Sequence, residues 1–332
     1  MIDTAIIGLG RWGRNLVEAA SSHPRLRIVR AVEPDLKSAH EFCAQHRLGL
    51  TGDLDAVLAD DKVAAILLAT PHSLHPAQVV ACARAGKQIF CEKPLALTRS
   101  DAARMFGACR DAGVVLAVGH NRRFWPSIRA LRETLASGQL GTILHVEGHN
   151  SNENSQKITR GWRLSAEESP GGGLTGAGLH VLDAFVSMLG PVASVYAKLH
   201  SRASGPPPID SAVVMLDFAS GVTGTLATVR ATPFYWRVHL FGTNGSAEVL
   251  DEGTMILRKS GDAPRRLTYP AIDVLRAELD AFADAIDNKA AFPVPEADVL
   301  ATLAAFEAAL ASMKSGVPVV CQNTEQDAEQ DA

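Results

Sequence analysis

The hexapeptide Gly8-Leu9-Gly10-Arg11-Trp12-Gly13 stands between the apolar run Thr4 to Ile7 and a helix-forming stretch, Arg14 to Ala20. In that setting G-x-G-x-x-G reads as a strand-to-helix turn, because glycine alone tolerates a left-handed or crowded backbone. Gly8 permits the tight turn, Gly10 lets a diphosphate reach main-chain amides, and Gly13 lets the helix pack against the strand. Arg11 and Trp12 then open the helix, where its dipole favours an anion. Glu33 ends the next apolar run, Leu26 to Val32, where a carboxylate accepts hydrogen bonds from an adenosine ribose. The cofactor expected from this pair of features is NAD. A 2′-phosphate about 4 Å from Glu33 would be repelled by about 4 kcal/mol at an effective dielectric of about 20; Arg30 or Arg11 leaves NADP open.

From Thr4 to about Arg122 short aliphatic runs alternate with helical stretches that end in glycine, the pattern of an α/β domain with a parallel sheet. Strands are predicted at Thr4 to Ile7, Leu26 to Val32, Val63 to Ala69, Gln88 to Cys91 and Val114 to Val118. Pro76 and Gly86 bracket one helix, and Thr98 with Asp101 forms a capping box before another that Gly113 ends. After Arg122 come a helix to about Ser137, a strand Ile143 to His149, a helix Leu179 to Leu189, strands from Val192 to Leu257, and closing helices near Asp273 to Asn288 and Ala297 to Lys314. The expected architecture is a doubly wound Rossmann sheet over residues 1–122. An α+β domain with a large, mostly antiparallel open sheet follows over 123–318, then an acidic, disordered tail over 319–332. The Pro206-Pro207-Pro208 loop separates strands, not domains.

The formal charge of -4 equals that of the tail carboxylates Glu325, Asp327, Glu329 and Asp331, so the body is near neutral and attraction to nucleic acid is not supported. The longest purely apolar run, Val63 to Ala69, is far short of the roughly 20 residues that cross a bilayer. The opening Met-Ile-Asp carries no basic leader, and Cys43, Cys82, Cys91, Cys109 and Cys321 are never spaced C-x-x-C; the expectation is a cytoplasmic protein with reduced thiols. His72 with His75, or His180 with Asp183, has helix-compatible spacing but no evident third ligand, so no metal is expected.

Two further segments end predicted strands, Ala69-Thr70-Pro71-His72-Ser73-Leu74-His75 and Cys91-Glu92-Lys93-Pro94-Leu95, where parallel sheets bind ligands. Thr70, Pro71, His75 and Glu92 should border a nicotinamide. Together with Ala85-Gly86-Lys87 and Gly178-Leu179-His180-Val181-Leu182-Asp183, they make the chain resemble the Gfo/Idh/MocA oxidoreductases over nearly its whole length. The resemblance implies substrates among sugars, inositols and other cyclic polyols, and a homo-dimer or homo-tetramer built through the second-domain sheet. It makes Lys93 the active-site lysine, its ammonium hydrogen-bonding the reacting oxygen, and His180 the catalytic histidine, a general base. Asp183, one helical turn on and with His180 and Lys93 a candidate substrate contact, either orients or charge-stabilises that ring or caps a neighbouring loop. Many dehydrogenases of the family carry an aspartate four residues before the histidine, where this chain has Gly176.

Cations cluster instead in His120-Asn121-Arg122-Arg123 and at Lys157, Arg160 and Arg163. Asn121, Arg122 and Arg163 are candidate substrate contacts, and a bidentate arginine suits a carboxylate. An acidic substrate and a set of merely solvated arginines remain equal alternatives. Three activities are compatible with these residues: a dehydrogenase acting on a CH-OH group, a lyase, epimerase or glycosidase that keeps its NAD and oxidises only transiently, and a non-catalytic dinucleotide-binding regulator.

Overall fold

The computed structural model describes residues 1–153, 161–203 and 208–323. Lys157, Arg160, Pro206, Pro207 and the four tail carboxylates lie outside the described residues. The chain divides into two compact units, Met1–Asn121 with Asp273–Glu296, and Arg122–Ile272 with the residues from Ala297 onward.

In the first unit the apolar runs become strands β1 (Ile2–Ile7), β2 (Leu26–Val32), β3 (Gly49–Thr51), β4 (Ala65–Leu68), β5 (Gln88–Glu92) and β6 (Leu116–Gly119), all parallel, in the order β3-β2-β1-β4-β5-β6. Every residue of β4 is buried, as a strand with helices on both faces must be. The order reverses beside β1, and that reversal opens a crevice at the carboxyl ends of the strands. The helices are α1 (Arg11–Ala20), α2 (Leu36–His46), α3 (Leu54–Leu58), α4 (His75–Arg84) and α5 (Arg99–Asp111). As expected, Thr98 caps α5, its Oγ accepting from Asp101 N–H at 3.1 Å. β3 escapes a sequence reading because three residues show no periodicity; its edge pairing with Arg30–Val32 makes it a strand.

The second unit begins with α6 (Pro126–Ala136) and β7 (Ile143–Ser151). A π-helical turn, Leu174–Gly178, runs directly into α7 (Leu179–Leu189). Strands β8 (Val192–Ala203), β9 (Ile209–Phe218), β10 (Thr223–Val229), β11 (Tyr235–Gly242), β12 (Gly245–Asp251), β13 (Thr254–Lys259) and β14 (Arg265–Thr268) follow. They form an open sheet in which β7 and β10 run parallel and the other pairs antiparallel. Alternation is plain in β9, where Ala212, Val214, Leu216 and Phe218 are buried while Val213 and Met215 are exposed. One face of the sheet is therefore covered and the other open. α7 is buried from Leu179 to Val186, and it approaches β7 so closely that a Cβ on Gly148 would lie 2.2 Å from Val181 and 2.5 Å from Phe185. That contact sets the helix bearing His180.

α8 (Val274–Ile286) departs from the expected division. Leu279, Phe282 and Ala283 join Ile6, Leu16 and Phe90 in the core of the first unit, and Arg25 donates to Asp284 at 2.6 Å. An amphipathic stripe shows that a helix buries one face but not which sheet receives it. The chain then forms α9 (Glu296–Ser315) and β15 (Val319–Val320), whose residues pair with β8 and complete nine strands. Cys321 is buried behind it. The start of the expected tail is thus ordered, because the open edge of β8 supplies hydrogen-bond partners that composition does not reveal. Among the described residues no helix is long and apolar enough to cross a membrane.

Candidate active site

The glycine turn is sterically determined. Gly8 has φ +89°, and a Cβ there would lie 2.8 Å from the Ala69 carbonyl oxygen; one on Gly13 would lie 1.9 Å from the Gly8 carbonyl oxygen. Gly10 differs: its φ is -65°, and a Cβ would meet nothing within 4 Å. Asp35, Asp53, Thr98 and Asp273 close the amino termini of α2, α3, α5 and α8 with side-chain acceptors, but α1 has neither a side-chain cap nor an acidic residue in its first turn. The first amides of α1 are left for an acceptor from outside the chain, and the clear space at Gly10 fits a diphosphate.

Glu33 is tied to this turn. Leu9 N–H donates to Glu33 Oε2 at 2.8 Å, which holds the carboxylate at the end of β2, and its remaining lone pairs can still accept from a ribose diol. Arg14, which the sequence reading passed over, braces the same turn: its Nε donates to Leu9 O at 3.0 Å and its Nη2 to Ser38 O at 3.1 Å. Only a helical residue reaching back across the turn makes these bonds, and no motif marks it. Of the arginines that leave NADP open, Arg30 turns to Asp60 at 3.5 Å and Arg11 lies over Trp12.

The loop after β4 lies beside the turn, since Thr70 Cγ2 would be 3.1 Å from a Cβ on Gly8, and His75 joins it to the loop after β5. Thr70 donates to Gln78 at 2.6 Å, and Pro71 precedes a short 3-10 turn, His72–Leu74. Glu92 is buried at the end of β5 opposite Gly119, Lys93 is half-buried, and the Lys93-Pro94 peptide is cis. His75 departs from its expected place at the nicotinamide. It is fully buried, with its ring nitrogens against main-chain carbonyl oxygens of both loops. Burial raises the Cys91 thiol well above its ordinary range, so this neighbour is a packed thiol and no nucleophile.

In the second unit His180 is buried near the start of α7, just after the π turn, a distortion that often accompanies functional sites. Asn150 donates to Ala177 O at 2.8 Å and holds the turn to β7. The glycine run before it wraps a carboxylate: Asp210 accepts from Gly173 N–H at 3.1 Å and from Arg230, and a Cβ on Gly172 would lie 2.8 Å from Asp210 Oδ2. Gly176 is exposed, and a side chain there would meet nothing within 4 Å.

Asp183 has a partner that its spacing from His180 does not announce. Arg123 grips it from two nitrogens, Nε to Oδ2 at 2.9 Å and Nη2 to Oδ1 at 2.7 Å, and donates through Nη1 to Asp298 at 2.7 Å. Both members of the pair are 1% exposed. Burial alone would lower the arginine pKa, and the two carboxylates more than reverse this. Arg122 lies 4.1 Å over Trp125 and 5.6 Å from Trp236, rings that meet edge to face, while Arg163 lies 4.1 Å over Trp162. Asn121 is buried at the end of the first unit.

Residues 2–120 match a family profile described as the oxidoreductase family with NAD-binding Rossmann fold, and residues 128–248 match the Gfo/Idh/MocA C-terminal domain. The chain belongs to the Gfo/Idh/MocA family. Its relatives include a myo-inositol 2-dehydrogenase of Thermotoga maritima, 30% identical over 277 residues that cover 80% of each chain. A 2,7-anhydro-N-acetylneuraminate hydratase of Escherichia coli is 27% identical over 278 residues, 81% of this chain and 73% of the other. Levoglucosan dehydrogenase, solved with NADH and levoglucosan, superposes with a TM-score of 0.86–0.87 at 23% identity; the NADH and levoglucosan complex gives 0.87 over 97% of this chain and 99% of that one. That likeness shows the fold.

As a Gfo/Idh/MocA oxidoreductase, the chain draws Gly8, Gly10, Gly13, Arg11, Trp12, Glu33, Thr70, Pro71, Glu92 and Lys93 to the carboxyl edge of one sheet, and carries His180, Arg122 and Arg163 on the second unit. Among the described residues no three potential metal ligands cluster. Arg123, which stands in the same cationic run as Arg122, is the partner of Asp183 across 60 positions of sequence, a pairing that no local pattern encodes. Arg123→Ala removes the bidentate partner of buried Asp183 and should destabilise the protein by about 3–5 kcal/mol in urea unfolding, whereas Arg122→Ala should stay within about 1–2 kcal/mol. Equal effects would mean that the pair contributes nothing beyond packing.

Proposed function

We propose that the chain is a dehydrogenase that oxidises a secondary alcohol or hemiacetal of a sugar-like, cyclic polyol or carboxylated cyclic substrate, or reduces the corresponding carbonyl, with NAD as its cofactor. The observation that carries this reading is the uncapped amino terminus of α1 before the open space at Gly10, on the same sheet edge as Lys93. Bound NAD would supply the hydride acceptor or donor. The amides of α1 would hold the diphosphate, and Glu33 the adenosine ribose, where its negative charge disfavours a 2′-phosphate. Arg30 is engaged with Asp60, which weakens the case for NADP.

Lys93 would donate a hydrogen bond to the reacting oxygen and stabilise the negative charge that builds there as hydride departs. His180 would take the hydroxyl proton. The Arg122 guanidinium lies over the rings of Trp125 and Trp236 and that of Arg163 over Trp162, contacts that favour the cation where it stands, and a guanidinium suits bidentate recognition of a carboxylate. These two residues support an acidic substrate, and the hydratase relative, whose substrate is named as a neuraminate, is in keeping with it.

That relative also favours a second reading, in which NAD is retained and the substrate is oxidised only transiently. Exposed Gly176 supports it, since the position offers no carboxylate for a relay. The open face of the second-unit sheet, with Val213 and Met215 exposed, supports self-association as a dimer or tetramer. Light scattering of the Met215→Arg variant should show smaller particles than the native chain; no change would remove that face from consideration.

A panel of neutral sugars, inositols and sugar acids, followed by absorbance of reduced nicotinamide and by product analysis, separates these activities. Net NADH supports the dehydrogenase, product without NADH the transient oxidation, and neither a non-catalytic dinucleotide-binding protein. In the active assay Lys93→Ala and His180→Ala should each lower kcat by about a hundredfold or more with NAD binding retained. For an acidic substrate Arg122→Ala or Arg163→Ala should raise KM, and activity confined to neutral sugars with KM unchanged would count against the acid.

A further inference from the structure

We propose that His75 is a positioning residue for Lys93, carrying protons on both ring nitrogens and so joining the loop after β4 to the loop after β5. The proposal rests on the reading of Lys93 as the residue that polarises the reacting oxygen. His75 is the first residue of α4, and its ring is 0% exposed. Nδ1 lies 3.0 Å from Pro94 O and 3.3 Å from Leu95 O, while Nε2 lies 3.1 Å from Thr70 O. These groups belong to the loops after β4 and β5, and Pro94 is bonded directly to Lys93.

Carbonyl oxygens only accept hydrogen bonds, and a neutral imidazole has one N–H. A neutral ring would therefore bond one loop and turn a lone pair towards the carbonyl of the other. An imidazolium donates to both. Opposing it are the desolvation of a fully buried cation, the amino-terminal dipole of α4, the Lys93 ammonium and the neighbouring His72 ring at 6.0 Å; favouring it are three carbonyl dipoles and the carboxylate of Glu92, buried at the head of the loop that carries Lys93. The burial of the ring keeps it from substrate or nicotinamide, so it acts through the backbone. Two loops fixed to one rigid ring hold the origin of the Lys93 side chain in place, and misplacement by about 1 Å at a reacting centre is enough to cost about a hundredfold in rate.

The test has two arms. Ring 15N spectra of the native chain, assigned by the signal lost in His75→Gln, should show both nitrogens of His75 protonated at pH 7; one protonated and one bare nitrogen overturns the double bond. In the second arm, turnover of the best substrate of the sugar panel is measured for His75→Gln, Lys93→Ala and the double variant. His75→Gln should lower kcat about tenfold or more, leave NAD affinity within about threefold, and add nothing further once Lys93 is alanine, because coupled residues are non-additive. Equal losses in both backgrounds overturn the proposal and leave the role of Lys93 intact. Near-native turnover in Lys93→Ala overturns the role of Lys93 itself. Should His75→Gln fail to fold, His75→Asn, measured for urea midpoint before kinetics, supplies the same cycle.

Discussion

The first unit depends on a single close approach, that of Gly13 to the Gly8 carbonyl. No side chain fits there, and so the first turn of α1 lies against the end of β1 with its amides clear. Placing Gly8 in the left-handed region also directs the chain past Ala69, which brings the loop after β4 to the same edge. The Leu9 amide then fixes Glu33, Arg14 braces Leu9, and His75 links the Thr70 loop to that of Lys93. A steric requirement at one glycine is transmitted in this way, by hydrogen bonds of ordinary length, to Glu33 and, through His75, to the loops of Thr70 and Lys93.

The second unit reaches a defined interior by other means. Its polar groups are buried as matched sets: Arg123 with Asp183 and Asp298, Arg230 with Asp210, Asn150 with the Ala177 carbonyl. Each such set is costly to break and permits few alternative packings. Around His180 they fix both the π turn before it and the helix after it. Gly176, on the exposed edge of that turn, differs from Gly172, Gly173 and Gly178 in that a Cβ there would meet nothing within 4 Å.

Much of the first unit was legible because its constraints are local. A strand followed by spaced glycines, a carboxylate at the next strand end, and capping residues such as Thr98 all lie within a few residues of what they determine. β3 was not legible, being too short to show a period. The placement of α8 and the ordering of β15 were hidden for a different reason, since a helix face or a sheet edge finds its partner only in the folded chain. The same holds for side chains. A strand-end segment and an i, i+3 spacing do not reveal that His75 is held by carbonyls of two loops or that Asp183 is gripped by an arginine 60 positions away.

The account stands on the amino terminus of α1 as a diphosphate site, and calorimetric titration with NAD and NADH tests this most directly. The native chain should bind one or both. Gly10→Val, whose side chain enters open space and leaves the fold and unfolding midpoint unchanged, should weaken binding by at least about tenfold, about 1.4 kcal/mol. Absence of binding by the native chain, or undiminished binding by a folded Gly10→Val protein, would contradict it.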